Sequence, residues 1–247
     1  MKSRIGHRNH QRKRSFFTTE STEGTEKKIR NSIEDRGILP SFPLFKRKTK
    51  MSFWPQLVTV LHPNDAPLPS SWPRCYETKY AVASLLQPRT IFEIGVRTGY
   101  SAFAFLRAVP TARYLGIDAN GDTHGGFCGA IEHARKLIEP YEAEVREMTS
   151  AQFATSCLSG STQGYDLIHI DGDHSFAGCA FDLSLAVQLG FRHVLVDDYG
   201  GITEVREACE QFTDEHREEL TQIEIRDGHN GDLLISQLPG ERGVLTP

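Results

Sequence analysis

The fold is decided by residues 92–101, which read Phe-Glu-Ile-Gly-Val-Arg-Thr-Gly-Tyr-Ser. This stretch has the pattern of a buried strand that ends in a turn and continues as a helix. Gly95 and Gly99 allow positive φ angles and close approach of the backbone, and Ser101 can cap the helix. Glu93, beside the turn, suits a cationic ligand. The G-x-x-x-G spacing differs from the G-x-G-x-x-G of dinucleotide-binding turns, so no pyrophosphate cradle is predicted.

Short apolar runs alternate with amphipathic stretches on both sides of this turn. Strands are predicted at residues 90–94, 113–117, 144–148, 166–170, 193–196, 222–226 and 232–237. Helices are predicted at residues 76–86, 101–109, 129–141, 151–158, 177–189 and 203–216. This order predicts an α/β, Rossmann-like fold with a seven-stranded, mostly parallel sheet and helices on both faces. The last two strands form a hairpin, which places one antiparallel strand at or near the sheet edge.

Charge divides the 247 residues into unlike parts. Residues 1–50 hold 14 of the 28 Lys and Arg residues but five of the 32 acidic residues, a net charge of +9, whereas residues 51–247 carry −13. We interpret residues 1–50 as a disordered basic tail. A non-native extension ahead of Met51 is the alternative. Residues 51–75 are predicted to be a loop or lid, and residues 76–247 to form the main domain.

Composition excludes several functional classes. An acidic main domain is poorly suited to binding nucleic acid phosphates. No apolar run reaches the 18 residues of a membrane span, so no membrane association is expected. The five widely spaced cysteines include no C-x-x-C pair, which favours a reducing, cytoplasmic location over a disulfide scaffold or a zinc site.

Ligands of open parallel sheets bind beyond the carboxyl ends of the strands. Asp118 ends the second strand, 23 residues after Gly95, where an acidic residue can accept hydrogen bonds from both hydroxyls of a ribose. A solvated aspartate in a turn is the alternative interpretation. Asp171 follows the fourth strand, and Asp197 and Asp198 follow the fifth.

Three segments resemble the class I S-adenosylmethionine-dependent methyltransferases: residues 93–101, Gly116-Ile117-Asp118, and the stretch YDLIHIDGDHS at residues 165–175. The resemblance is strongest to catechol-type and caffeoyl-CoA-type O-methyltransferases and to the bacterial methyltransferase-domain family related to them. It covers about residues 76–237 and implies S-adenosylmethionine as cofactor. The residues that it implies for cofactor binding are Glu93, Gly95, Gly99, Tyr100, Ser101, Asp118, Ser150 and Asp171. Thr149, Ser150 and Gln152 lie where the adenine is held in that family.

Asp171, Asp197 and Asp198 are expected to converge because their strands are adjacent. Carboxylates in close contact repel unless a cation intervenes, and Mg²⁺ or another divalent cation with oxygen ligands would resolve the repulsion. The resemblance implies metal ligands at these positions as Asp followed by Asp-Asn, so Asp198 stands where Asn is usual. Roles in helix capping and turns are the alternative.

The predicted reaction uses the metal to bind a substrate hydroxyl and lower its pKa, with Asp171 and His174 as the catalytic residues. His174 is the candidate general base, since an unperturbed imidazole titrates near neutral pH. It lies where the catechol-type enzymes place a catalytic lysine. Ordering of the loop is its alternative role. His169 and His193, within or at the start of strands, are interpreted as structural.

The predicted function is therefore methylation of a hydroxyl on a small-molecule acceptor with metal assistance. The alternatives are a metal-independent methyltransferase of the same fold, a non-catalytic S-adenosylmethionine-binding protein and, less favoured, an NAD-dependent oxidoreductase. No nucleic acid partner is expected. The resemblance leaves a homodimer open.

Overall fold

The computed structural model describes residues 16–18, 72–121, 129–157, 164–226 and 229–238. The strands are β1 (Phe16–Thr18), β2 (Thr90–Ile94), β3 (Arg113–Asp118), β4 (Ala143–Glu147), β5 (Tyr165–Ile170), β6 (Phe191–Val196), β7 (Leu220–Arg226) and β8 (Asp232–Gln237). The helices are α1 (Trp72–Leu86), α2 (Tyr100–Ala108), α3 (Ala130–Ile138), α4 (Ser150–Cys157), α5 (Phe176–Leu189) and α6 (Thr203–Glu215).

Within these residues the strands form one sheet in the order β1-β7-β8-β6-β5-β2-β3-β4. Strand β8 is antiparallel to both of its neighbours, β6 and β7, while the other pairs are parallel. The predicted Rossmann-like sheet is confirmed, with all seven predicted strands present. The antiparallel strand of the hairpin lies between β6 and β7.

Two features extend the predicted architecture. The short strand β1 pairs in parallel with β7, with Phe16 opposite Glu224, and it lies in the segment for which no regular structure was predicted. The other residues of the predicted tail lie outside the described ranges. Helix α1 begins at Trp72, so it takes in the last residues of the segment predicted to be a lid. Among the described residues, no helix combines the length and apolar character needed to cross a membrane.

Helices cover both faces of the sheet because successive strand side chains alternate between the faces. In β2, Ile91 packs with α1, α2 and α3 on one face, in a cluster that includes Val82, Phe105 and Ile131. Phe92, the next residue, packs on the opposite face with residues of α4, α5 and α6. Both faces are therefore buried, and open space for a ligand lies at the strand ends.

Backbone hydrogen bonds hold the carboxyl ends of the central strands in line. Gly95 N donates to the carbonyl of Ile117 at 2.9 Å, and Asp171 N donates to that of Ile94 at 2.8 Å. Asp197 N donates in the same way to the carbonyl of Ile170 at 3.0 Å. The residues that follow β2, β3, β5 and β6 consequently share one edge of the sheet.

Candidate active site

A cavity of about 660 Å³ opens above this shared edge. Its walls come from the ends of β2 to β6, from the start of α1 and from the first turns of α4 and α5. Its lining includes Tyr76, Gly95, Arg97, Asp118, Met148, Thr149, Ser150, Asp171, Gly172, His174, Asp182, Asp197 and Asp198. The cavity has the place and size that a small-molecule site requires in this kind of sheet.

The turn after β2 allows the backbone to approach closely, as the sequence predicted. Gly95 has φ 87°, and a Cβ added there would lie 1.9 Å from the carbonyl oxygen of Asp171. Gly99 has φ 84° and caps α2 with its backbone, beside Ala134 of α3. The cap is therefore Gly99, and the expectation that the Ser101 side chain caps the helix is wrong.

Glu93 lies beneath the cavity, with none of its side chain exposed. Its carboxylate accepts hydrogen bonds from the hydroxyls of Ser101 and Tyr114, and it is bonded to His169 Nδ1 at 2.7 Å. The expectation that Glu93 faces a cationic ligand is thus corrected: it joins β2, β3, β5 and α2 from within the core. A buried carboxylate needs such partners because unpaired burial of charge is costly.

The predicted cofactor residues divide into two sets. Gly95, Asp118, Ser150 and Asp171 line the cavity. Glu93, Gly99, Tyr100 and Ser101 are absent from its walls. The ring of Tyr100 is 97% buried and packs against Tyr76, with ring centroids 5.6 Å apart. The second set therefore shapes the turn and supports it.

Asp118 is held in a fixed orientation at the end of β3. Its Oδ2 accepts a hydrogen bond from Arg97 N at 2.7 Å, and its Oδ1 accepts one from Asn120 N at 2.6 Å. Both donors are backbone amides, so the carboxylate is positioned without using a side-chain partner. The remaining acceptor capacity of the two oxygens is available to a ligand in the cavity.

The segment predicted to hold adenine forms the start of α4. Thr149 N donates to Gln152 Oε1 at 2.8 Å, and Gln152 N donates to Thr149 Oγ1 at 3.2 Å, which is a capping box. Thr149 and Ser150 line the cavity, whereas Gln152 is not part of its lining. The neighbouring Asp182 is buried, which raises its pKa to about 6 against the lowering effect of a hydrogen bond with Ser150.

Asp171 and His174 form a pair at the other end of the cavity. His174 Nε2 lies 3.2 Å from Asp171 Oδ1 and 3.5 Å from Asp198 Oδ2. The hydrogen bond to Asp171 raises the pKa of His174 to about 9, against the lowering effect of burial. Burial and the charge of Asp197 raise the pKa of Asp171 to about 6. At neutral pH the pair is therefore an imidazolium and a carboxylate.

A buried lysine from α1 reaches the same region. Lys79 Nζ donates to Asp197 Oδ1 at 2.9 Å and to Asp232 Oδ1 at 2.8 Å. The side chain of Lys79 is 1% exposed and that of Asp232 is fully buried. Burial raises the pKa of Asp197, but the charge of the Lys79 ammonium outweighs it, so the net shift is downward. Asp197 is thus a permanent anion already paired with a cation.

Comparison with known protein families shows which family this part of the chain is similar to. Residues 92–199 match a family model described as a methyltransferase domain. This segment is therefore similar to the class I S-adenosylmethionine-dependent methyltransferases. The match spans β2 to β6, including the glycine turn, Asp118 and the Asp171 loop, so the resemblance drawn from those residues is confirmed. No protein with curated annotation matches this chain by sequence.

Solved structures share the fold of this chain. The O-methyltransferase TomG from Streptomyces achromogenes, involved in tomaymycin synthesis and solved with SAM, has 18% identity and a TM-score of 0.56 over 76% of this chain and 91% of its own. An O-methyltransferase from Bacillus cereus, solved with SAH, has 14% identity and a TM-score of 0.53 over 88% and 100%. A methyltransferase from Geobacter sulfurreducens has 17% identity and a TM-score of 0.52 over 85% and 98%.

The predicted metal ligands fall into two clusters, and Asp197 in the first of them is already paired with the Lys79 ammonium. Among the described residues, ligand atoms come within 4.8 Å of one another in two groups: Asp197 with His169 and Asp171, and Asp198 with Asp171 and His174. Neither group holds all three aspartates. Asp197 Oδ1 already accepts hydrogen bonds from Lys79 Nζ and from Asp198 N, each at 2.9 Å. In the second group, the carboxylates of Asp171 and Asp198 both lie close to the His174 imidazole.

Lys79 and Asp232 were missed by the sequence analysis, although a signal for Lys79 existed. Lys79 falls at helical spacing with Val82, Ala83 and Leu86, so it sits on the apolar face that predicted α1. A lysine on such a face is buried only when it is paired. No comparable signal marked Asp232, because an aspartate at the first position of a strand is as often a solvated residue of the preceding turn. His169 and His193 are structural, as predicted; His193 Nδ1 is bonded to Ser236 Oγ at 2.8 Å.

Proposed function

We propose that this methyltransferase transfers a methyl group from S-adenosylmethionine to a hydroxyl group of a small acceptor molecule. One observation carries the proposal: a single cavity joins the Gly95 turn and Asp118 at one end to the Asp171–His174 pair at the other. The first end offers a backbone turn and a fixed carboxylate to a nucleoside. The second offers a proton acceptor to the group that attacks.

When bound, S-adenosylmethionine supplies an electrophilic methyl group. The Gly95 turn and Asp118 hold its nucleoside and amino acid parts, and Ser150 and Asp182 border the adenine end. Asp171, with 31% of its side chain exposed, accepts the acceptor's hydroxyl proton at a carboxylate oxygen. The raised pKa of Asp171 makes that proton transfer more favourable than it would be for an ordinary aspartate.

We assign His174 a positioning role in place of the predicted general base. As an imidazolium it has no lone pair to accept the proton, so it donates to Asp171 Oδ1 and holds that carboxylate in place. It also lies 3.5 Å from Asp198 Oδ2 and compensates that charge. The metal-assisted form of the reaction is not carried into this proposal, because Asp197 is already paired with the Lys79 ammonium.

The test measures release of S-adenosylhomocysteine from S-adenosylmethionine with a panel of small hydroxylated acceptors, catechols included. We expect turnover with at least one acceptor. In Asp171→Asn, turnover should fall at least 100-fold while the Kd for S-adenosylhomocysteine stays within about 3-fold, because the change removes the proton acceptor and keeps the shape. Asp166→Asn, an aspartate of β5 outside the cavity, is the control.

Each contrary result has a distinct meaning. An unchanged rate in Asp171→Asn would refute the role of that carboxylate. Tight cofactor binding without transfer to any acceptor would favour the non-catalytic binding protein. Binding of NAD in place of S-adenosylmethionine in isothermal titration would refute the cofactor assignment.

A further inference from the structure

The carboxylates of Asp197 and Asp232, at the end of β6, are paired with a cation that the protein itself supplies, the side chain of Lys79. Lys79 Nζ contacts one oxygen of Asp197 and one of Asp232, at 2.9 and 2.8 Å. Its side chain is 99% buried, and Asp232 beside it has no exposed side-chain area. Burial of an ammonium at this depth requires opposite charges in direct contact, and two are present.

This ammonium binds the carboxylate oxygen that a metal ion would need as a ligand. Asp197 Oδ1 accepts from Lys79 Nζ and also from the backbone N–H of Asp198 at 2.9 Å, which uses both lone pairs of that oxygen. A divalent cation bound to the same carboxylate would have to approach within about 2.0–2.6 Å of an oxygen, next to a fixed positive charge. Repulsion between the two cations opposes this.

The ammonium is also fixed in place by the fold. Helix α1 packs against α2, with the rings of Tyr76 and Tyr100 at 5.6 Å. Lys79 lies in the same helix, one turn after Cys75, which together with Tyr76 lines the cavity. The side chain therefore runs from a packed helix to the strand ends, and no movement of a loop is needed to deliver its charge.

We propose that the Lys79 ammonium takes the place of the divalent cation in this methyltransferase, and that the site binds no divalent cation. Lys79 is a positioning residue: it neutralises Asp197 and Asp232 and holds the Asp197 carboxylate at the cavity wall. The proposal rests on the proposed function only in assigning the cavity to methyl transfer. Its test does not use turnover, so the two can fail separately.

The test measures Mn²⁺ binding to the full chain after the protein has been dialysed against EDTA. Electron paramagnetic resonance reports the free Mn²⁺, and calorimetry reports the heat of binding. The wild-type protein should bind no Mn²⁺ at micromolar concentration. In Lys79→Met, loss of the ammonium frees Asp197 Oδ1 and leaves the acidic cluster uncompensated, so Mn²⁺ should bind at least tenfold more tightly than to the wild type. Lys136→Met, an exposed lysine of α3, should behave like the wild type.

A second variant guards against misfolding of Lys79→Met. The double variant Lys79→Met with Asp232→Asn removes one positive and one negative buried charge together, and it should also gain Mn²⁺ binding. The wild-type titration decides the matter even if neither variant folds, since absence of binding supports the proposal. Stoichiometric Mn²⁺ binding to the wild type that is lost in Asp171→Asn would overturn it.

Discussion

At the level of single residues, the cavity depends on carboxylates whose environments differ. Asp118 is oriented by two backbone amides, Asp171 shares a proton-bearing imidazole, and Asp197 is paired with an ammonium. The same residue type is therefore used for binding, for proton transfer and for charge pairing. Each role follows from the groups that surround the carboxylate.

Asp118→Ala should weaken binding of S-adenosylhomocysteine by about 30- to 100-fold. The change removes hydrogen bonds from ribose hydroxyls to a charged acceptor, worth about 2–3 kcal/mol together. Isothermal titration measures the effect. Asp166→Ala is a matched control, because Asp166 also accepts a backbone hydrogen bond, from Arg89 N at 2.8 Å, but lies outside the cavity. Equal affinities of Asp118→Ala and the control would contradict the ribose role.

The His174 imidazole should titrate at about pH 9, which NMR of its ring protons measures directly. Because this pKa lies above the unfolded value of about 6.5, the stability that it contributes is fully present below pH 6.5 and is lost as the pH rises through 9. In Asp171→Asn the midpoint should fall by more than one unit, and the resonance should vanish in His174→Gln. A wild-type midpoint at or below 6.5 would exclude the imidazolium.

At the level of elements, one buried carboxylate ties together three strands and a helix. Glu93 of β2 is bonded to Tyr114 of β3, His169 of β5 and Ser101 of α2. These bonds fix the end of β2 immediately below the Gly95 turn. The geometry of the cofactor turn therefore depends on a polar group that a ligand does not reach.

Tyr114→Phe should lower the free energy of unfolding by about 1–3 kcal/mol, because it removes a partner from a buried carboxylate oxygen without changing the ring. Urea unfolding followed by circular dichroism measures this change. Tyr141→Phe, a partly buried tyrosine packed on Phe103, is the control and should change stability by less. No difference between the two variants would show that the network adds little.

At the level of the whole molecule, the cavity is assembled from five strand ends and from α1, so a ligand there contacts elements from most of the domain. S-adenosylhomocysteine at 100 times its Kd should therefore raise the free energy of unfolding by about 2.7 kcal/mol. Thermal unfolding with and without the ligand measures the shift. NAD at the same concentration should produce none, and a larger shift with NAD would contradict the assignment.

Much of the fold was readable from local patterns. The limits of β2 and β8 match the predicted ranges, and the other predicted strands differ by one or two residues at one or both ends. Apolar runs of this length have few alternatives once turns bound them. The parallel order also fixed which residues follow each strand, which is why Asp118 and Asp171 were correctly expected at one edge.

The partners of those residues were decided by tertiary structure. The sequence by itself determined the strand ends, the glycine turn and the resemblance to a family, because these depend on neighbours along the chain. It could not show that Glu93 points into the core, that His174 carries a proton, or that Lys79 reaches Asp197 across 118 positions. Charge pairing depends on distance in space, and only the packing of α1 on the sheet brings that ammonium to the carboxylates.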